Sequence, residues 1–427
     1  MSHLGKVAQD DIVRARNVLL ASGRRTPREE VDAYRVLAQV SPASYLPLLA
    51  RALQHLSYDT GSGKKHPACL ALREEAVTVA RSIDPAEPAR ADVLYGALDM
   101  CQRELYSLGR RAEGLAMRAE MLAIGRAQAE LSKGPMVRGL REWAAGLSEE
   151  GRYAEAADAM TELVAAVLPD GSRSGALAWS LLEWIGALHD AGRSGEALAA
   201  FETLVSMEAA EAANDRGPTA CHLYSLIGYA QMLDTHGQGE QAVLVRQEAL
   251  ALLTELADTG ERKSWSGYAA SFWAVLLTFS GAESDRASSD RPRPPSGAEP
   301  LQWSPDAQRR YFDSLHALRE EVDTLAARVT EDPAQHLTEL VRLHRLLTVR
   351  SAVYWEHRTH LFAERVRSLF DDTVSLARRL SQHDPAEGPR TLARILIDRS
   401  TFHTAVCEFG SALDDFRQAL RCLGEAD

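Results

Sequence analysis

The sequence predicts an all-α chain, about eight helical hairpins stacked into an α-solenoid, and three observations carry that reading. Glycines recur at 109, 151, 192, 237 and 281, with spacings of 42, 41, 45 and 44 residues. A leucine stands four residues before each of them: Leu105, Leu147, Leu188, Leu233 and Leu277. Eight residues before the last four glycines stand Trp143, Trp184, Tyr229 and Trp273, with Cys101 in the first unit. Side chains four apart share one helical face, and a following glycine supplies the left-handed conformation that ends a helix. A helix pair of this kind cannot bury its own apolar face, so neighbouring pairs must stack. Composition agrees: 427 residues, 45% hydrophobic and 25% charged, lie in the range of folded soluble chains.

From the N-terminus, 8–21 and 27–39 read as one hairpin joined at Gly23-Arg-Arg-Thr-Pro, with Thr26-Pro-Arg-Glu29 as a helix start. The core array is expected over 42–281, beginning with Leu53-Gln-His-Leu-Ser followed by Leu70-Ala-Leu-Arg-Glu-Glu-Ala-Val. The glycines are followed by a restart signal: Gly109-Arg-Arg-Ala-Glu, Gly151-Arg-Tyr-Ala-Glu-Ala, Gly192-Arg-Ser-Gly-Glu-Ala and the looser Gly237-Gln-Gly-Glu-Gln-Ala. Ala156, Ala197 and Ala242 let the second helix of each pair pack closely on the first. Prolines at 292, 294, 295, 300 and 305, among Ser, Asp and Arg, predict a flexible loop over 282–305. Either that loop is inserted in a seventh hairpin, with 306–328 as the returning helix, or it links two domains. A longer-helix pair follows at 333–354 and 358–380, its boundary near Trp355. The pair 389–406 and 410–423, turning at Gly410, closes the array. The expected organisation is an N-terminal hairpin over 1–41, the core array over 42–281, the loop over 282–305 and a C-terminal helical region over 306–427.

These phased positions resemble the tetratricopeptide repeat (TPR), in a long-period form similar to that of kinesin light chains. The Leu53 and Leu70 segments resemble TPR modules of actinobacterial proteins. The observed period exceeds the about 34 residues of the common repeat. The resemblance implies a superhelix whose first helices line a concave groove for a partner segment. Carried onto this phasing, the inward positions are Arg51, Gln54, Asp99, Arg103, Arg138 and Arg141, then Trp179, His189, Tyr224, Gln231 and Tyr268. Four arginines in an acidic chain would form a positive patch suited to carboxylates, and the aromatics would supply apolar anchors. The alternative is that Trp179 and Tyr268 close helix–helix contacts while the arginines are solvated. Trp143, Trp184 and Trp273 belong to the core by their fixed phase.

Charge weighs against nucleic acid as a partner: 48 Lys plus Arg against 60 Asp plus Glu give −12, which repels a phosphate backbone. The first residues, Met1-Ser-His-Leu-Gly-Lys, do not read as a secretory leader, and the apolar run 268–279 is too short to span a bilayer. Five cysteines, at 69, 101, 221, 407 and 422 without a Cys-x-x-Cys pair, read as free thiols of a reducing cytoplasm. Gly61-Ser-Gly-Lys64-Lys65 lacks the first glycine and the hydroxyl of a phosphate loop, and Gly237-x-Gly239 falls in phase with the repeat turns. His357, His360 and Glu364 share a helix face, with His344 on the preceding helix, but the i, i+4 histidine pair of zinc proteases is missing. No metal or cofactor is assigned. No nucleophile elbow occurs either. The expectation is a non-enzymatic cytoplasmic scaffold whose groove takes a protein or peptide segment bearing acidic groups and an apolar anchor. The alternatives are a ligand- or peptide-responsive TPR regulator, and an enzyme or metal protein centred on the His357/His360 helix.

Overall fold

The computed structural model describes residues 8–21, 23, 25–61, 66–134, 137–168, 174–214, 216–262, 266–282, 294–355 and 359–425. Among them are eighteen α-helices and no strand, two helices more than eight hairpins would supply. The chain forms two compact units, Met1–Gly146 with Ser304–Asp306, and Leu147–Trp303 with Ala307–Asp427. No described helix is long and apolar enough to cross a membrane.

The first unit holds α1 (Gln9–Leu20), α2 (Pro27–Val40), α3 (Pro42–Gly61), α4 (His66–Arg81), α5 (Arg90–Ser107) and α6 (Arg111–Ser132). Each packs on the next in chain order, and α3 also meets α5, as stacked hairpins require. Thr26 opens α2 as read from the sequence: its hydroxyl accepts from the Glu29 amide while the Glu29 carboxylate accepts from the Thr26 amide. Leu53, Leu98, Cys101 and Leu105 lie in the core of this unit. α7 (Leu140–Glu149) carries the chain from the first unit into the second.

The recurring glycine turn has one geometry. After α5 the Arg110 amide donates to the Leu105 carbonyl at 2.8 Å, and the Gly109 amide donates to Tyr106 at 3.0 Å, with Gly109 at φ 74°. The same pair of bonds recurs around Gly151, Gly192 and Gly237. Only a residue that tolerates positive φ closes this turn, and the carbonyl it caps belongs to the residue four before the glycine. That explains the leucine spacing. The restart arginine anchors the new helix through its side chain, since Arg110, Arg152 and Arg193 each reach the glutamate three residues on, Glu113, Glu155 and Glu196. Arg110 and Arg193 further contact Glu74 and Asp158 of the preceding hairpins. Ala156, Ala197 and Ala242 are fully buried, as their small size predicts.

The fifth glycine does not belong to the series. Gly281 lies inside α13 (Ser266–Ala282), where a Cβ would stand 2.8 Å from Val349 Cγ1. It serves a close helix approach, not a turn. The fifth turn occurs at Cys407, at φ 61°, where the Glu408 amide donates to the His403 carbonyl at 2.8 Å. The C-terminal hairpin therefore turns at Cys407; Gly410 is the second residue of the returning helix.

The second unit continues with α8 (Tyr153–Val167), α9 (Ser174–Asp190), α10 (Ser194–Ala213), α11 (Thr219–Thr235) and α12 (Gly239–Thr259), with α9 to α12 each packed on its predecessor. After α13 come α14 (Pro305–Glu331), α15 (Pro333–Trp355), α16 (Thr359–His383), α17 (Gly388–Ala405) and α18 (Phe409–Leu423). Here the neighbour-to-neighbour order breaks. α13 packs on α11, α15 and α17, and α18 packs on α12. Trp273 Nε1 donates to Thr401 at 2.8 Å, and Asp398 accepts from Ser280 at 2.8 Å and from Arg345 Nε at 2.7 Å. Arg345 and Asp398 are buried, so this pair is fully engaged where an unpaired charge would be costly. With neighbours on every side, residues 221–230 of α11 are all buried.

The proline-rich stretch is packed in its second half. Residues 283–293 lie outside the described residues, but Pro295, Gly297, Ala298 and Trp303 are buried. The strap 294–303 crosses α9 at Gly186, where a Cβ would stand 2.0 Å from the Ser296 carbonyl oxygen. Trp303 donates to the Ala298 carbonyl at 3.1 Å and meets Tyr311 edge-on at 5.0 Å. Composition predicts a loop here; a glycine on each partner and one tryptophan make it part of the core.

Candidate ligand cavity

The inward positions of the first unit do not leave a bare positive patch. Arg51 and Gln54 stand on α3, Asp99 and Arg103 on α5, Arg138 in the turn before α7 and Arg141 on α7. Arg138 Nη1 meets Asp92 at 2.6 Å, and its guanidinium lies 4.0 Å from the Tyr95 ring centre. That contact, reinforced by Gln128, holds the Asp92 carboxyl below its ordinary value. Arg103 Nε meets Asp99 at 3.3 Å. Arg138 and Arg103 thus carry counter-ions within their own unit.

In the second unit the aromatic positions face each other. Trp179 meets Tyr268 at 5.5 Å and Phe272 at 5.8 Å, both edge-on, and Tyr268 stacks on Phe272 at 6.0 Å. Tyr224 is 2% exposed in the middle of α11, and complete burial pushes its hydroxyl well up from its ordinary value. Beside Tyr268 lies Glu208, whose carboxyl burial pushes up to about 7, with Glu211 adding to the shift. Trp179 on α9 and Tyr268 on α13 therefore make a ring contact between two helices and are half-buried, while Tyr224 on α11 is buried.

His189 and Gln231 have a different place. Both line a cavity of about 610 Å³ in the second unit. One wall comes from α9, α11 and α12, through His189, Ile227, Gln231, Asp234 and Val243; the other comes from α13, α17 and α18. Gly228 brings α11 close to its neighbours: a Cβ there would stand 2.9 Å from Phe201 Cζ. The floor is apolar, with Phe201, Ile227, Phe279, Ile397 and Phe416. Arg246, Arg390 and Arg394 are the arginines of the lining.

Arg246 joins the two walls. Its Nε and Nη2 donate to the two carboxylate oxygens of Glu425, the former at 2.7 Å, and its Nη1 donates to Asp234. The Arg246 and Glu425 side chains are only 5% and 11% exposed. Burial disfavours the charged guanidinium, but the two carboxylates more than offset it and hold the Arg246 pKa above its ordinary value. At the cavity edge His189 and His236 stand edge to face at 6.1 Å; His189 Nδ1 and His236 Nε2 are buried without a hydrogen-bond partner among the described residues.

His357, Lys64 and Lys65 lie outside the described residues, and position 360 is described only as backbone of α16. His344 is buried, its Nδ1 2.8 Å from the Thr373 hydroxyl. Among the described residues no group of three or more His, Cys, Asp and Glu side chains is placed to hold a metal ion. All five cysteines are free thiols, and burial pushes those at 69, 101, 221, 407 and 422 up from their ordinary values. No protein-family model matches the chain, and no curated protein matches it.

Sequence reasoning missed Arg246, Arg390, Arg394 and Glu425. The i, i+4 spacing of Arg390 and Arg394 is visible in the sequence, but the cavity they share with Arg246 is not, and the Arg246–Glu425 pair spans 179 residues.

Proposed function

We propose that this chain is a non-enzymatic, TPR-like regulator that responds to a ligand held in the cavity of its second unit. One observation carries the reading: the cavity is walled by repeat helices on one side and by the C-terminal hairpin on the other. A ligand touching both walls favours the arrangement in which they are closed, and so sets how firmly α17 and α18 are held. An open-groove scaffold is the weaker reading, because Tyr224 is buried and Trp179 and Tyr268 are engaged with each other.

Hydrogen exchange with and without anilinonaphthalene sulfonate, an apolar anionic dye, tests this. The expected result is slower exchange in α11, α12, α17 and α18, abolished by Val243→Phe, which fills the cavity. Protection that is absent, or that survives Val243→Phe, refutes the regulator reading.

A further inference from the structure

The polar groups lining the cavity divide into those already committed and those not. Arg246 gives its Nε and both Nη groups to Glu425 and Asp234, so these three ionised side chains hold one another. Arg394 is engaged as well, and Arg390 is exposed to water, where ion pairing is weak. The Ser280 hydroxyl donates to Asp398, and that of Thr235 to the Gln231 carbonyl. Gln231 and His189 remain. Among the described residues the Gln231 side chain makes no hydrogen bond, and His189 Nδ1 is buried without a partner. Both residues are half-buried, on the neighbouring repeat helices α11 and α9. They are also the two inward positions of the repeat phase that line this cavity.

We propose that the cavity binds an uncharged amphipathic molecule, its neutral hydrogen-bonding head on Gln231 and His189 and its apolar body on the phenylalanine floor. This rests on the regulator reading and gives it a ligand class. The Gln231 carboxamide has two donors and an acceptor, which suits a head such as an amide that both donates and accepts. A carboxylate head would have to win Arg246 from two carboxylates that already fill its fork, and an ammonium head would have to win those carboxylates from Arg246. Either ion also loses its hydration on entry. A small neutral molecule does no better, since it leaves the floor of Phe201, Phe279 and Phe416 uncovered. Affinity therefore needs both halves. With the head on α9 and α11, the body reaches Ile397 of α17 and Phe416 of α18, so one molecule touches both walls.

The sulfonate dye senses the apolar floor; a series of equal chain length senses the head. Titration calorimetry of the full chain compares octanamide, octanoate and octylammonium, with acetamide as the head alone. Octanamide is expected at one site per chain, at least about tenfold tighter than the other three. Gln231→Leu should weaken octanamide about threefold to tenfold, with helicity and melting unaltered because that side chain has no partner to lose. Val243→Phe should block octanamide. If octanoate or octylammonium binds as tightly as octanamide, or Gln231→Leu binds octanamide as the native chain does, the neutral seat is overturned while the cavity reading stands. If none of the eight-carbon compounds binds, or Val243→Phe changes nothing, the regulator reading fails and the proposal with it.

Discussion

Replacing Gly186 by alanine tests whether the strap belongs to the core. A Cβ at 186 would stand 2.0 Å from the Ser296 carbonyl oxygen and 2.3 Å from its carbon, while ordinary contact begins at 3.4 Å. Both obstacles are backbone, so no rotamer change relieves them, and the strap must retreat by about 1.4 Å. Forced shifts of this kind in a packed interior cost about 1–3 kcal/mol. Unseating the strap altogether would expose Trp303, and an aromatic of that size buries about 150–250 Å², roughly 4–6 kcal/mol at about 25 cal/mol per Å². The shift is the cheaper response. Alanine also returns about 1 kcal/mol as the better helix former, which leaves a net loss of about 0–2 kcal/mol. The control is Gly195→Ala in the first turn of α10, where a Cβ meets nothing within 4 Å. That variant should gain up to about 1 kcal/mol. Urea unfolding of the two variants should therefore differ by about 1–3 kcal/mol. Limited proteolysis at Leu301, already 76% exposed, should quicken only in Gly186→Ala. Equal stability and equal cleavage in the two variants would show that the strap is not seated on α9.

Two further outcomes are expected. Cys407→Gly should raise stability by about 0.5–1 kcal/mol, because the left-handed backbone costs a residue with a Cβ about 1–2 kcal/mol and glycine loses part of that gain to its freer unfolded chain. Cys407→Val should lower it, and a valine variant as stable as the native chain refutes the turn assignment. Glu208, with its folded pKa raised to about 7 against an ordinary 4.5, contributes stability that is fully present below pH 4.5 and lost as pH rises through 7. The shift corresponds to about 3 kcal/mol in all. Glu211, Tyr268 and Cys221 are the titratable neighbours coupled to it, so Glu208→Gln should flatten the urea midpoint between pH 5 and pH 8, and an unchanged slope assigns the effect elsewhere.

The parts of the fold legible in the sequence are those whose signal is local. A left-handed turn whose glycine stands four residues after the capped carbonyl demands that glycine and an apolar partner, so Leu105-to-Gly109 and its successors show themselves in one chain. At the fifth turn both signals are replaced. Cys407 takes the glycine place, and His403, in the leucine place, pairs at 2.8 Å with the Glu408 carboxylate, which Arg367 also grips. A polar lock substitutes for the apolar contact, so the phase search passes over it and settles on Gly281, whose role is clearance for Val349.

The candidate site was less legible for a physical reason. A pure solenoid has only neighbour contacts, and phasing then predicts which face is open. One signal did warn against that: α11 and α13 are apolar all round, which fits helices covered on every side better than helices lining a groove. What covers them comes from far along the chain, through α15, α17 and the strap. Repeat phasing therefore selects His189 and Gln231 as inward positions without the opposite wall that lines the same cavity. They look onto Arg390, Arg394 and Phe416 rather than an open groove. The return of α17 against α11 and α13 gives the cavity its second wall, and no repeat phase contains that contact.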